Sequence, residues 1–194
     1  MSSPVFQEST RRRLTPQQAE TVARLTDAAV EVLNEDGFDG LTVRTVAKRA
    51  GVAPATAYTY FSSKNHLVAE LFWRRLSAGV SDPSTSDSPA ERVATILREV
   101  SMVVAGQGQL GGAVTMALLG TDPDVEHLRV RIGAFIRKRL SAALDVDPEH
   151  PGPLVDALEM IYAGGLVHAG MGHMSYEQTS DRLVAAAFLL MEKS

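Results

Sequence analysis

The sequence predicts an all-α protein of about nine helices, with a helix-turn-helix near its start. Three observations predict it. Apolar residues recur at three- and four-residue steps along most of the 194 residues, and no run keeps the two-residue period of a strand. Two short helical patterns lie either side of Gly51, joined by a tight turn. Positive charge gathers on that pair: Leu41 to Leu76 hold Arg44, Lys48, Arg49, Lys64, Arg74 and Arg75 against Glu70 alone, in a chain of net charge −4.

Residues 1–14 read as a disordered basic arm ending in Arg11, Arg12 and Arg13. They suit either a solvated tail or an arm that reaches the DNA minor groove or backbone. Thr15 caps the first helix and Pro16 fills its first turn. The stripe Ala19, Val22, Ala23, Leu25, Thr26, Ala29, Val30, Leu33 carries that helix to about Asp36, and Gly37 stops it. Phe38 is expected to plug a small core against Val46 and Phe61.

Thr42 caps the second helix, with Val43, Val46, Ala47 and Ala50 on one face and Arg44, Thr45, Lys48 and Arg49 on the other. Gly51 takes the left-handed conformation that ends a helix. Pro54 opens the third, which runs to Tyr60 with Ala57 and Phe61 inward. Such a pair presents its second helix to the major groove. The groove-facing set is then Pro54, Ala55, Thr56 and Thr59. Between Ala53 and Phe61 there is no Lys, Arg, Asn or Gln, so bidentate base reading from this helix is absent; methyl contacts to thymine, the Thr56 and Thr59 hydroxyls and DNA shape must do more, with Arg44 a candidate for the missing guanine contact.

The residues Thr42, Val46-Ala47, Ala50-Gly51-Val52, the run Tyr58-x-Tyr60-Phe61, Lys64 and Leu67 resemble the DNA-binding region of the TetR family of bacterial transcriptional regulators. The resemblance covers roughly residues 17–70. It departs from the family's habit at Ala57, where a larger aliphatic residue is usual, and at Ala55, where Gly is common. It implies phosphate contacts from Thr42, Tyr58, Tyr60 and Lys64, and Arg44 joins them on charge and position. The domains expected are 15–63 as helix-turn-helix, 64–80 as connecting helix, 81–89 as linker and 90–194 as an effector-binding and dimerisation domain.

The linker SDPSTSDSP is polar and carries two prolines. After it come helices expected over Pro89 to Ala105, Ala113 to Leu119, Asp122 to Asp145, Pro153 to Met171 and Tyr176 to Glu192. Their methionines, Met102, Met116, Met160, Met171 and Met174, suit either plain core or a deformable pocket for an apolar molecule, bounded also by Leu119, Phe135, Tyr162 and His168. The resemblance favours the pocket and implies an effector there. Gly164, Gly165, Ala169, Gly170 and Gly172 thin the penultimate helix, so another helix approaches it closely, in the same chain or a second one. The family pairs through its last two helices. That implies a homodimer interface including Ile161, Gly165, Ala169, Leu183, Ala187 and Leu190.

Residues 77–194 hold nine Lys and Arg against fifteen Asp and Glu, and the first 76 hold ten against eight, so only the N-terminal part suits phosphate. No cysteine, apolar span or signal-like N-terminus is present, which suits the cytoplasm. No phosphate-cradling loop or metalloprotease histidine pair occurs. His168 and His173, five apart, are expected on different helix faces, so no metal or cofactor is expected. The reading is a repressor, not an enzyme, released from a palindromic duplex operator by a small hydrophobic effector. A DNA-binding regulator without an effector, or an all-α enzyme, are the alternatives.

Overall fold

The computed structural model describes residues 14–84, 87–106 and 109–192, so the expected arginine arm lies outside them. Among the described residues there are nine α-helices and no strand. They are α1 (Pro16–Gly40), α2 (Val43–Arg49), α3 (Pro54–Tyr60), α4 (Lys64–Gly79), α5 (Pro89–Met102), α6 (Leu110–Leu119), α7 (Pro123–Ala143), α8 (Gly152–Gly170) and α9 (Tyr176–Met191).

Local chemistry sets most of the ends. Thr15 with Gln18, Ser88 with Glu91, and Ser175 with Gln178 each form a capping box, pairing two backbone N–H groups that a helix start leaves free. Gly37, at φ 67°, interrupts α1 where the sequence put its stop, and one further helical turn follows to Gly40. α5 ends at Met102, three residues early, in a turn closed by Gly106 at φ 67°. α6 starts at Leu110 rather than Ala113, because Leu110 and Gly111 are buried as its first turn. α7 stops at Ala143, where Arg92 of α5 donates to the Ala143 carbonyl (2.9 Å) and pairs with Asp145. Asp145 itself sits at φ 56°.

The backbone packs as two units. One comprises Met1–Ser77 and Gly106–Arg129, the other Ala78–Ala105 and Val130–Ser194. In the first, α2 packs on α1 and α3, and α6 on α1. Its core holds Leu25, Leu33, Leu41, Val46, Phe61, Leu67 and Trp73. α6 and the start of α7 therefore pack with the helices that precede the linker.

In the second unit α9 packs on both α5 and α8. α8 approaches α9 at Gly165, where an added Cβ would stand 3.1 Å from both Leu183 and Thr179. Ala169, Leu183 and Ala187 are buried by this same contact region. The methionines expected in the interior are not there. Met102, Met116, Met160 and Met171 are exposed, Met160 at 75%. Helical spacing placed them on faces that the chain's own helices leave uncovered. Gly165→Val should lower the stability of the fold by about 1–3 kcal/mol, the usual cost of overfilling a packed contact. Calorimetric melting of wild type and variant measures it.

Candidate nucleic-acid interface

α2 and α3 are seven residues each, so their ends decide their geometry. Thr42 caps α2: its hydroxyl accepts the Thr45 N–H (2.9 Å), and the Thr45 hydroxyl accepts the Thr42 N–H (2.9 Å). At the other end Gly51 sits at φ 64°. The Val52 N–H returns to the Ala47 carbonyl (2.9 Å) and the Gly51 N–H to Lys48 (3.3 Å), the paired bonds of a Schellman turn. Arg24, from α1, donates to the Ala50 carbonyl and to Gly51 (3.1 Å). The turn between the two helices is thus clamped from outside.

α3 follows with Ala57 and its C-cap Phe61 fully buried. Pro54, Ala55, Thr56 and Thr59 are exposed together, Tyr58 is 52% exposed and Tyr60 half-buried. The Thr59 hydroxyl donates to the Ala55 carbonyl (3.1 Å), which leaves its lone pairs facing outward as acceptors.

Beside α3 lies a cavity of about 260 Å³ lined by Asp39, Leu41, Thr42, Val43, Tyr58, Ser62, Ser63 and Lys64. Three of the predicted phosphate contacts, Thr42, Tyr58 and Lys64, meet there. The positive charges that sequence counting put on this unit are unequally free. Arg49 is held by Glu31 (3.2 Å) and by Glu35, and Arg74 by Glu70 (2.8 Å). Lys64 donates to the Phe38 carbonyl (2.9 Å) with its ammonium 4.2 Å from the Phe38 ring. Phe38 is accordingly half-buried against Lys64 rather than plugging the core. Among the described residues Arg44 and Lys48 are exposed with no ion pair.

Residues 25–71 match the family model described as bacterial regulatory proteins, tetR family. The chain is 43% identical over 198 residues to an uncharacterized HTH-type transcriptional regulator of Mycobacterium tuberculosis, covering 94% of this chain and 91% of that one. It is 30% identical to the HTH-type transcriptional repressor KstR of Rhodococcus jostii, covering 68% and 63%. The chain belongs to the TetR family. It is a DNA-binding transcriptional regulator and not an enzyme. A TetR transcriptional regulator from Rhodococcus sp. RHA1 has the same fold, with a TM-score of 0.75 at 22% identity over 93% of this chain and 99% of that one.

The other residues singled out in this TetR-family chain are spread more widely. Met116 and Leu119 are exposed on α6, and Met102, His168 and Met171 are exposed in the second unit, where Phe135 is buried. Tyr162 lines a cavity of about 660 Å³ in that unit, with Arg137, Asp156, Glu159 and Met160. Burial, with Glu159 nearby, raises the Tyr162 phenol to about 12, so it stays a neutral donor. Of the expected interface set, Gly165, Ala169, Leu183 and Ala187 are used inside the chain, while Ile161 and Leu190 are half-buried. His168 and His173 do meet, their rings 5.4 Å apart, because Gly172 at φ 78° folds the chain back after α8. Among the described residues no group of three potential metal ligands forms.

Sequence reasoning places Ser62 or Ser63 as the cap of α4, and Ser63 takes that role, accepting the His66 N–H (3.0 Å); it missed the Arg24 clamp and the Ser63–Asp122 link, whose partners lie 27 and 59 residues apart. No local pattern carries such contacts.

The unequal charges make a test. Arg44→Ala should weaken DNA binding and flatten its log–log salt dependence by about one unit, without changing the melting temperature. Arg49→Ala should leave the slope nearly unchanged, since its charge is already met by glutamates. Titrations at several salt concentrations separate the two.

Proposed function

We propose that this regulator is a repressor that binds a palindromic operator as a symmetric homodimer in the cytoplasm and leaves it when a small hydrophobic effector binds. The observation that carries the DNA part is the cavity where Thr42, Tyr58 and Lys64 converge beside the exposed face of α3. Those three, with Tyr60 and Arg44, hold phosphate and set register. Pro54 and Ala55 offer apolar contact to thymine methyl groups, and Thr56 and Thr59 offer hydroxyls to base edges. Arg44 is the long donor available for guanine. Operator half-sites lie about 34–36 Å apart, one helical turn.

The homodimer is supported by apolar side chains on and just after α8 and on α9 that the described residues leave uncovered. Met160, Met171, Phe188 and Leu189 are exposed, and a Cβ at Gly164 would meet nothing within 4 Å. Of the residues that the sequence singled out, Gly165, Ala169, Leu183 and Ala187 also pack within one chain, and Ile161 and Leu190 are half-buried. Gly164→Arg should therefore give a folded monomer in sedimentation with little operator affinity, because an unpaired charge in an interface costs several kcal/mol. Ala187→Arg should instead unfold the second unit, since Ala187 is 1% exposed within one chain. A Gly164→Arg protein that remains dimeric would place the interface elsewhere.

For the effector we propose an elongated, largely apolar molecule such as a fatty-acyl compound, with the neutral phenol of Tyr162 donating to its polar end. Supporting this, the chain is 30% identical over 61% of its length to a Bacillus subtilis protein named fatty acid metabolism regulator protein. Repression is supported by the name of the Rhodococcus jostii relative. A duplex selected by the protein from a random pool, titrated in fluorescence anisotropy with saturated fatty acids and acyl thioesters of increasing length, tests the sensor. Release at micromolar concentrations is expected, weakened several-fold in Tyr162→Phe, about the worth of one hydrogen bond. If no apolar compound releases the DNA, the protein binds its operator constitutively.

A further inference from the structure

His66, in the first turn of α4, is 7% exposed. Its ring meets Phe61, the C-cap of α3, edge-on at 5.8 Å between centroids. Its Nδ1 lies 3.4 Å from the Ser62 backbone nitrogen and 3.2 Å from the Ser62 hydroxyl oxygen. A backbone N–H only donates, so Nδ1 is the acceptor and the ring proton is on Nε2. That Nε2 is buried without a hydrogen-bond partner among the described residues. On its other side the ring meets His127 of α7, edge-on at 6.0 Å. A second link runs parallel to it: the Ser63 hydroxyl donates to Asp122, just before α7, and accepts the His66 N–H (3.0 Å). Ser62 and Ser63, the two residues held, line the cavity shared by Thr42, Tyr58 and Lys64.

We infer that His66 is a positioning residue for DNA binding: its neutral imidazole fixes the exit of the recognition helix and the serine wall of the phosphate cavity. The inference rests on reading that cavity as a phosphate site. It assigns a role to a residue that touches no DNA. Only the neutral ring does this work. A proton on Nδ1 turns the acceptor into a donor and sets it against the Ser62 N–H. The groups facing the ring are Glu70 on its own helix and Asp122, Asp124 and His127 at the start of α7. Glu70 would hold an imidazolium on its own helix while Asp124 and Asp122 draw it towards α7, and Asp122 already holds Ser63. Both anchors of the loop are therefore disturbed together.

The sign follows from burial, which lowers the His66 pKa below the usual imidazole range, the carboxylates opposing. A histidine with a depressed folded pKa contributes fully above its unfolded pKa. That contribution is withdrawn as pH falls below it. Operator affinity instead depends on the ring in the folded protein, so it falls as pH drops through that depressed folded pKa, below the pH at which stability begins to fall.

The test compares wild type with His66→Asn, whose side-chain carbonyl can still accept from Ser62 but does not titrate. The probe is a DNA duplex selected by the wild-type protein from a random-sequence pool at pH 7.5, with anisotropy read at pH 5.5, 6.5 and 7.5 and fixed salt. Relative to His66→Asn, wild type should bind a few-fold more weakly at pH 5.5 than at 7.5, less than about tenfold because the lowered pKa leaves part of the rings neutral at pH 5.5. His127→Gln should keep the loss of affinity at low pH, with its midpoint moved up, since His127 lowers the His66 pKa. Parallel profiles for wild type and His66→Asn would overturn the inference. Imidazole nitrogen shifts of the free wild-type protein supply an arm that needs neither DNA nor the variant. An unprotonated Nδ1 at pH 7.5, with a Ser62 amide that moves as His66 titrates, is expected. A proton on Nδ1 would refute the assignment. If the pool yields no enriched duplex while the amide titrates as expected, the DNA reading fails and the histidine anchor stands.

Discussion

A seven-residue helix does not hold itself together in water, because nucleation costs more than its few internal hydrogen bonds return. α2 and α3 are both of that length, and the rest of the DNA-binding unit can be understood as the means of holding them. The central contact is Phe61. It ends α3 and is fully buried, as is Ala57 one turn before it. Burying a phenyl ring is worth about 1.5–3 kcal/mol, comparable to the whole deficit of a short helix. The Gly51 turn and the Arg24 clamp then fix the angle between the helices, which hydrophobic contact alone leaves free. The recognition surface is consequently a tertiary product, and residues that never approach DNA govern it.

The same economy appears in the charges. A cation serves either the fold or the phosphate backbone most effectively when it is not asked to do both. Arg49 and Arg24 serve the fold: one is paired with two glutamates of α1 and the other with backbone carbonyls. Arg44 and Lys48 are left in water, where approaching phosphate meets no competing carboxylate. Lys64 stands between these cases. Its partner is a neutral carbonyl, a weaker acceptor than a phosphate oxygen.

Much of the fold was legible, for reasons that can be named residue by residue. Gly37, Gly51, Pro54 and the capping threonines Thr15 and Thr42 act locally, and their effects are where the sequence put them. The exposed side of α3 was legible too, since Ala57 and Phe61 fix which side is inward. Contacts over long separations were not. Nothing near Ser63 announces Asp122, and nothing near Gly165 says whether its close neighbour is Leu183 of the same chain or a helix of another. The methionines mislead for a related reason. Periodicity finds a face that avoids water, without saying whether the cover comes from the same chain.

The composition of α3 limits how this regulator can choose its site. Direct readout draws most of its discrimination from bidentate pairs, worth about 1–3 kcal/mol each, and α3 has no side chain able to make one. Proline, alanine and threonine instead offer shape and methyl contact, and the Thr59 hydroxyl, committed to Ala55 as a donor, offers acceptance. An acceptor there matches the exocyclic amino groups of adenine and cytosine and is mismatched to the carbonyl oxygens of guanine and thymine. Discrimination of that kind works as much by exclusion as by attraction. It also demands that α3 be held at a fixed depth, because a rigid short side chain cannot extend to make up a lost ångström as arginine can. A recognition helix with small side chains therefore needs firmer anchoring than one with long ones, and the buried histidine, the arginine clamp and the glycine turn around α3 supply it.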